Sequence, residues 1–277
     1  NIAERILCTD DRILFRVKEN GCLNGYGLMT DRGEILTPPR WIYLKRSSRR
    51  DLFLVSDGTK AGFLDQDGQP AAPLQWDLAG DFSEGFAPVA KGGLWGYLNE
   101  QMELVIPCLW EGAQRFREGL AAVCRDGKWG YIDTAGQLVI PCRWEIAHAF
   151  HKDHAWVLEQ EKEILIHRSG REVGHFDSHM KLENDRCPVS KNGKWGFIDS
   201  QGKEIVPCVW DHANLSTEHA LPVAIWDKRM GSYRWGFLDH RGKELTPCCW
   251  DEVTPFREGM AAVRQGSLWG YIDRKGK

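Results

Sequence analysis

Arg125 to Phe150 reads RDGKWGYIDTAGQLVIPCRWEIAHAF. A polar turn (Asp126-Gly127-Lys128) opens the stretch, and an aromatic and β-branched run follows from Trp129 to Ile132. A second turn spans Asp133 to Gly136; a second apolar run, Leu138 to Ile140, is closed by Pro-Cys-x-Trp. Two short β-prone runs around a Gly-containing turn predict a hairpin. Proline has no N–H for a strand ladder, so the second strand is expected to stop at Pro141 or to lie at a sheet edge.

The pattern recurs in both directions from this copy. Trp-Gly pairs stand at Trp95, Trp129, Trp195, Trp235 and Trp269, and weaker copies put Tyr26, Ala61 and Glu163 at the Trp position. The eight starts are 35, 34, 34, 34, 32, 40 and 34 residues apart. In seven copies a Gly follows seven residues later, with Met102 as the exception. Pro-x-x-Trp closes six copies, at Trp41, Trp76, Trp110, Trp144, Trp210 and Trp250, so 11 of the 13 tryptophans occupy two positions of one unit. A fixed period of this length marks a solenoid, propeller or array.

These marks resemble the WG-repeat family of bacterial proteins, whose units read roughly GKWGYID-x-x-G-K-x-VIP-x-x-(Tyr/Trp)-D. The resemblance covers nearly the whole chain. It implies an all-β repeat assembly used for binding, and it supplies no catalytic residues. Ala61 and Glu163 depart from the pattern.

One repeat domain over 1–277 is expected, as a tandem array of eight units of about 34 residues, each of three to four short antiparallel strands. Units start near 26, 61, 95, 129, 163, 195, 235 and 269, and 1–25 resembles the second half of a unit, ending in a turn at Glu19-Asn20-Gly21. An open solenoid or superhelix suits so short a unit. A closed eight-bladed propeller is the competing architecture, with residues 1–17 completing the last unit. A unit of this size cannot bury enough apolar area alone, so Trp95, Trp110, Trp129, Trp144, Trp195, Trp210, Trp235, Trp250 and Trp269 are assigned to a shared core. A sugar-stacking role for these rings is the competing reading. The Gly after each Trp leaves room for a bulge or a close backbone.

Composition narrows the function classes. A net charge of −3 on 277 residues gives no general attraction to nucleic acid. No apolar run reaches the roughly 18 residues of a membrane helix. Of nine cysteines, Cys108, Cys142, Cys208 and Cys248 follow the repeat Pro, so their spacing is the repeat's and reads as a small buried hydrophobe. No C-x-x-C is present, and the odd count favours a reducing, cytoplasmic compartment.

Catalytic signatures are missing: there is no G-x-S-x-G, H-E-x-x-H, P-loop or G-x-G-x-x-G. Asp65, Asp133, Asp199, Asp239 and Asp273 recur at one repeat position and read as turn formers. The fifth unit holds six of nine histidines (His148, His151, His154, His167, His175 and His179), but no accompanying cysteine, so no metal and no cofactor are expected. The chain is therefore expected to be a non-catalytic protein-binding scaffold, an adaptor or immunity protein in its narrower form. A glycan-binding module and an enzyme with an unrecognised site are the alternatives. Partner contacts are assigned to the basic segment with Arg46, Arg49 and Arg50, to the off-repeat Trp156 and Trp226, and to Arg229 in the one clear insertion.

Overall fold

Turn residues interrupt this chain so often that only short strands fit between them, and the computed structural model folds them as eight small sheets. It describes residues 2–8, 11–19, 22–215, 218 and 220–277. Every sheet has three or four strands in sequence order, all strand pairs are antiparallel, and no helix occurs among the described residues. The predicted turn at Asn20-Gly21 lies outside the described residues.

The fourth sheet shows the plan. Gly112–Ala113, Leu120–Arg125, Lys128–Asp133 and Leu138–Trp144 pair in that order. The predicted hairpin is its second half. A further apolar run, Leu120-Ala-Ala-Val123, opens the second strand, and the stretch after the preceding Pro-x-x-Trp supplies a two-residue first strand. A sheet thus runs from one closing Trp to the next, half a unit out of phase with copies counted from Trp-Gly. Residues 2–8 and 12–19, read in the sequence as the tail of a unit, are instead the first two strands of a complete first sheet with Cys22–Thr30 and Ile35–Trp41. They are therefore not spare strands for the last unit.

Proline does not stop the closing strand; it bulges it at the sheet edge. Trp129 pairs with Trp144 and Tyr131 with Ile140, so two steps on one strand face four on the other. Pro141-Cys142-Arg143 thus stand opposite the single Gly130, two residues more than on the partner strand. The two tryptophan marks of the repeat are cross-strand partners, at Trp95–Trp110, Trp195–Trp210 and Trp235–Trp250 as well, and Tyr26–Trp41 substitutes for the pair in the first sheet. In the second sheet the pair shrinks to an isolated bridge, Ala61 to Trp76. The Gly after the first Trp lies under the bulge. A Cβ on Gly130 would be 2.5 Å from the Ile140 carbonyl oxygen and 2.6 Å from the Cys142 amide nitrogen. No side chain fits there.

The chain divides into two compact units, Asn1–Ala149 and Phe150–Lys277. In each, the apolar residues collect between consecutive sheets. In the first unit, Tyr97, Ile106 and Trp110 of the third sheet meet Phe116, Ala121, Val123 and Ile132 of the fourth. In the second, Phe237 of the seventh sheet meets Phe256, Ala261, Val263 and Ile272 of the eighth. In three sheets the Phe six residues after the closing Trp packs on the aromatic residue after the preceding sheet's Gly. Phe82–Phe63, Phe116–Tyr97 and Phe256–Phe237 lie 5.1, 4.9 and 5.0 Å apart between ring centroids. Such ring contacts add to the area each ring buries.

Polar residues of the repeat hold the turns. Asp133 accepts the Ala135 and Gln137 amides at 3.0 and 2.9 Å, and Gly136 closes the turn at φ 78°. Asp65, Asp199, Asp239 and Asp273 repeat this geometry. Met102 keeps the same left-handed conformation, φ 64°, while Asn99 takes the Asp role. Glu84, in the run Phe82-Ser-Glu-Gly85, ties the third sheet to the fourth: it accepts the Glu118 and Gly119 amides at 2.7 and 2.9 Å.

Several buried acids shape the response to alkali. Burial pushes the Cys187 thiol from 9.0 to about 12, the Cys248 thiol to about 11, and the Tyr97 and Tyr131 phenols up as well. Their pKa values are raised in the fold, so between the unfolded and folded values the native chain binds more protons than the unfolded one. Stability is then fully present below the unfolded thiol pKa of 9.0 and is lost as pH rises toward about 11. Urea midpoints measured at a series of pH values check this; a midpoint that holds steady or rises across that window contradicts it.

Candidate functional site

The insertion behind the 40-residue spacing is a hairpin made longer. Leu221–Asp227 pairs with Ser232–Leu238 through seven residue pairs, ending at Trp226–Tyr233 and Asp227–Ser232. The matching pair in the sixth sheet, Cys187–Lys191 with Lys194–Ile198, has five. The Asp227 carboxylate accepts the Arg229 amide at 2.8 Å and shapes the turn. Arg234 at the hairpin's base is held by the Asp251 carboxylate and the Cys249 carbonyl.

This hairpin carries exposed apolar side chains: Trp226, at 46% exposure, and Tyr233 on one face, Ile225 on the other, and Met230, at 64%, at the turn. Trp226 stands edge-on to Tyr233 at 5.0 Å, and Tyr233 stands edge-on to His212 at 5.5 Å. His212 also touches Trp235 at 5.4 Å and lies nearly parallel to Trp195 at 5.9 Å. Trp226, Tyr233 and His212 thus form a file that forks onto Trp235 and the half-buried Trp195. The inner rings fix the outer ones, so Trp226 and Tyr233 present a rigid aromatic face. Lys228 and Arg229 sit exposed on the turn beside it.

The basic segment is arranged differently from its sequence reading. Arg49 forks onto Asp51, with both nitrogen–oxygen distances at 2.9 Å, and donates to the Glu100 carbonyl. Arg46 donates to the Arg50 carbonyl at 2.7 Å and lies over the Phe53 ring. Asp81 accepts the Ser47 hydroxyl at 2.6 Å and the Ser48 amide at 2.9 Å, pinning the loop. Two of the three arginines are engaged inside the chain, and Arg50 alone of them is classed as exposed.

Trp156, chosen as a surface contact, is half-buried: it stacks on His179 at 3.9 Å and 5° and meets Phe176 edge-on. The two rings occupy a place the eroded fifth unit leaves open, since Glu163 pairs with Phe176 where other sheets pair tryptophans. The histidines do not converge. His154 packs on His167, His175 pairs with Glu172, and His179 is the ring under Trp156. Among the described residues no group of three or more His, Cys, Asp or Glu is placed to hold a metal ion.

The repeat tryptophans divide by position. Trp41, Trp110 and Trp144 on closing strands and Trp76 at its isolated bridge are buried, while Trp210 and Trp250 are half-buried. Trp95, Trp129, Trp195 and Trp235, after the turn Lys or its equivalent, are half-buried. Trp269 is 53% exposed, and no closing strand pairs with it among the described residues. The repeat cysteines lie over the glycine and reach a strand beyond it, as Cys142 Sγ does to the Val123 carbonyl at 3.8 Å.

One recurring carboxylate escaped the sequence reading. Asp77 binds Lys60 at 2.7 Å and accepts the Gly92 amide at 2.7 Å; Asp177 and Asp211 likewise pair with Lys162 and Lys194. The lysine hydrogen bond holds the carboxyls of Asp77, Asp177 and Asp211 below the usual range. The signal is the Asp that follows Trp76 and Trp210 and, in the fifth unit, Phe176. Its role is to hold a turn.

Fold and site together define a β-repeat protein with one elaborated hairpin. A family model described as "WG containing repeat" matches residues 62–95, 95–129, 129–162, 195–216 and 235–269. The chain belongs to that family. No curated protein matches the sequence. Similar solved structures include a eukaryotic initiation factor, 12% identical over 96% of this chain and 82% of that one, with a TM-score of 0.46. The CNH domain of AfRom2 is 8% identical over 82% and 91%, at 0.40. A protein of unknown function from Bacteroides caccae is 15% identical over 85% and 92%, at 0.30. Likenesses this low carry no argument about the chain.

Proposed function

We propose that this chain is a non-catalytic protein-binding scaffold whose recognition element is the hairpin 225–234. The observation that supports it is the exposed, pre-ordered pair Trp226 and Tyr233 on the longest hairpin of the second unit, with Met230 exposed at its turn. Aromatic residues and methionine are enriched at the desolvated centres of interfaces, and rigid rings lose little entropy on binding. The exposed Lys228 and Arg229 beside them suit a partner with an acidic rim. An adaptor or immunity protein is the narrower form of this reading and predicts one cognate partner.

The test is quantitative pull-down of the native partner with the Trp226→Ala, Tyr233→Ala double variant. Hot-spot truncation predicts a loss of about 2 kcal/mol or more. Retention of full affinity contradicts the reading. Glycan-array binding that the same double variant abolishes, with no protein partner captured, supports the carbohydrate alternative instead.

A further inference from the structure

Where consecutive sheets meet, one repeat position governs the fit. It is the residue just before the strand pair Ala121–Ile132, which is Leu120 in the fourth sheet. Six of the other sheets place Arg, Leu, Phe, His or Met there. The seventh sheet alone has a small residue, Ala220, just before the pair Leu221–Leu238.

Two of the large residues show what the place accepts. Arg12 of the first sheet and Arg186 of the sixth precede the equivalent pairs Ile13–Met29 and Cys187–Ile198, and their side chains are only 18% and 17% exposed. Each reaches the following sheet: Arg12 Nε donates to the Gln66 carbonyl at 2.8 Å, and Arg186 Nη2 donates to the His240 carbonyl at 3.1 Å. In the second sheet Leu52 holds the position, and Arg49 beside it donates to the Glu100 carbonyl instead. Gln66, Glu100 and His240 each follow the Asp or Asn that shapes the turn of their sheet. On the later sheet the acceptor always lies in that turn.

The matching residue of the eighth sheet is Arg274, which follows Asp273. Ala220 is too short to reach its carbonyl. Between the seventh and eighth sheets Ala220 leaves a hollow of about 400 Å³, with Ala220, Leu245 and Phe256 as an apolar floor and Glu218, Asp239, His240 and Arg274 at the rim. Glu218 is engaged: it accepts the Glu258 and Gly259 amides at 2.6 and 2.8 Å and the Arg274 guanidinium at 2.9 Å. Asp239 accepts the Arg241 and Lys243 amides through Oδ1, which leaves Oδ2 as an acceptor. Two carboxylates against one guanidinium make the rim suit a cation.

We propose that this hollow is a binding site for an arginine side chain of a partner polypeptide. The guanidinium caps the Arg274 carbonyl, as Arg12 and Arg186 cap the turns of the sheets that follow them, and its remaining N–H groups serve the Asp239 carboxylate. The stem lies over Ala220 and Phe256. A planar fork of five donors suits a carbonyl and a carboxylate together, which the point charge of an ammonium does not. The source is read from the chain itself, where arginine residues fill the same place in two sheets. The inference does not rest on the hairpin 225–234.

The probe is N-acetyl-arginine N-methylamide, titrated into the isotope-labelled full chain and followed by the amide NMR shifts of Ala220, Asp239 and Arg274. Saturable shifts at these amides are expected. The matching citrulline probe keeps the shape and loses the charge, so it should bind about tenfold more weakly or worse, the scale of hydrogen bonds to charged groups. Ala220→Arg should fill the hollow from within and abolish binding, and it should fold like the parent because Arg12 and Arg186 hold the same position. Should that variant misfold, the citrulline comparison tests the same contacts on the unaltered chain. Tighter binding of agmatine than of the blocked arginine overturns the polypeptide source in favour of a small guanidine. Absence of saturable shifts overturns the proposal, as does equal affinity for the arginine and citrulline probes or for the parent chain and Ala220→Arg.

Discussion

Trp144→Ala is expected to cost about 3–5 kcal/mol of unfolding free energy, the range for deleting a fully buried aromatic side chain. Trp144 is 1% exposed, meets Tyr131 edge-on at 6.3 Å and lies under the Arg143 guanidinium at 5.0 Å. Its Nε1 is buried without a hydrogen-bond partner, so truncation sacrifices packing and no polar contact. The cross-strand mate, Trp129, is half-buried, and Trp129→Ala should cost distinctly less. Urea titrations of both variants, followed by circular dichroism, decide between them. Equal losses would mean that the two marks carry equal weight in the core, against the asymmetry argued above.

Gly130→Val is the second large effect, about 3 kcal/mol, at the upper end of the cost of overpacking. What the new side chain meets explains the size. The obstacles are the backbone atoms of Ile140, Pro141 and Cys142, which are fixed by the bulge, and not the yielding end of a side chain. Either the bulge straightens, and Trp144 loses its place opposite Trp129, or the edge strand leaves. A smaller loss is expected at Gly62, where the nearest obstacle is the tip of the Leu74 side chain and the sheet has only three strands.

Much of this fold was legible because the repeat writes each strand in its own chemistry. Trp129 to Ile132 and Leu138 to Ile140 announced a hairpin, and the recurring Asp and Gly announced its turn. The reading placed Pro141 as a strand end or an edge residue. The edge was right and the end was not, because a bulge lets the strand pass a residue that cannot donate. Phase was illegible for a related reason: Trp-Gly is the most visible mark, but cooperative pairing begins two strands before it.

The candidate site was less legible. Trp226 was singled out because it broke the repeat, and it is exposed; Trp156 was singled out on the same ground, and it is half-buried. The difference lies in tertiary neighbours: His179 and Phe176 are available to cover Trp156, while the extra residue pairs carry Trp226 beyond such cover. Charge density at Arg46, Arg49 and Arg50 suggested an open basic face. Asp51, Asp81 and the Glu100 carbonyl, distant or unremarkable in sequence, turn that loop inward.

The most direct test of the packing logic is a pair of glycine variants in one denaturation experiment. Gly130→Val and Gly62→Val make the same chemical change at the same repeat position, one under the backbone of a bulged closing strand and one against the movable tip of the Leu74 side chain. A bulge that excludes every Cβ predicts a markedly lower unfolding midpoint for Gly130→Val and a smaller drop for Gly62→Val. If Gly130→Val unfolds at the parent's midpoint, the closing strand does not lie on that glycine, and the paired-tryptophan sheet described here is wrong.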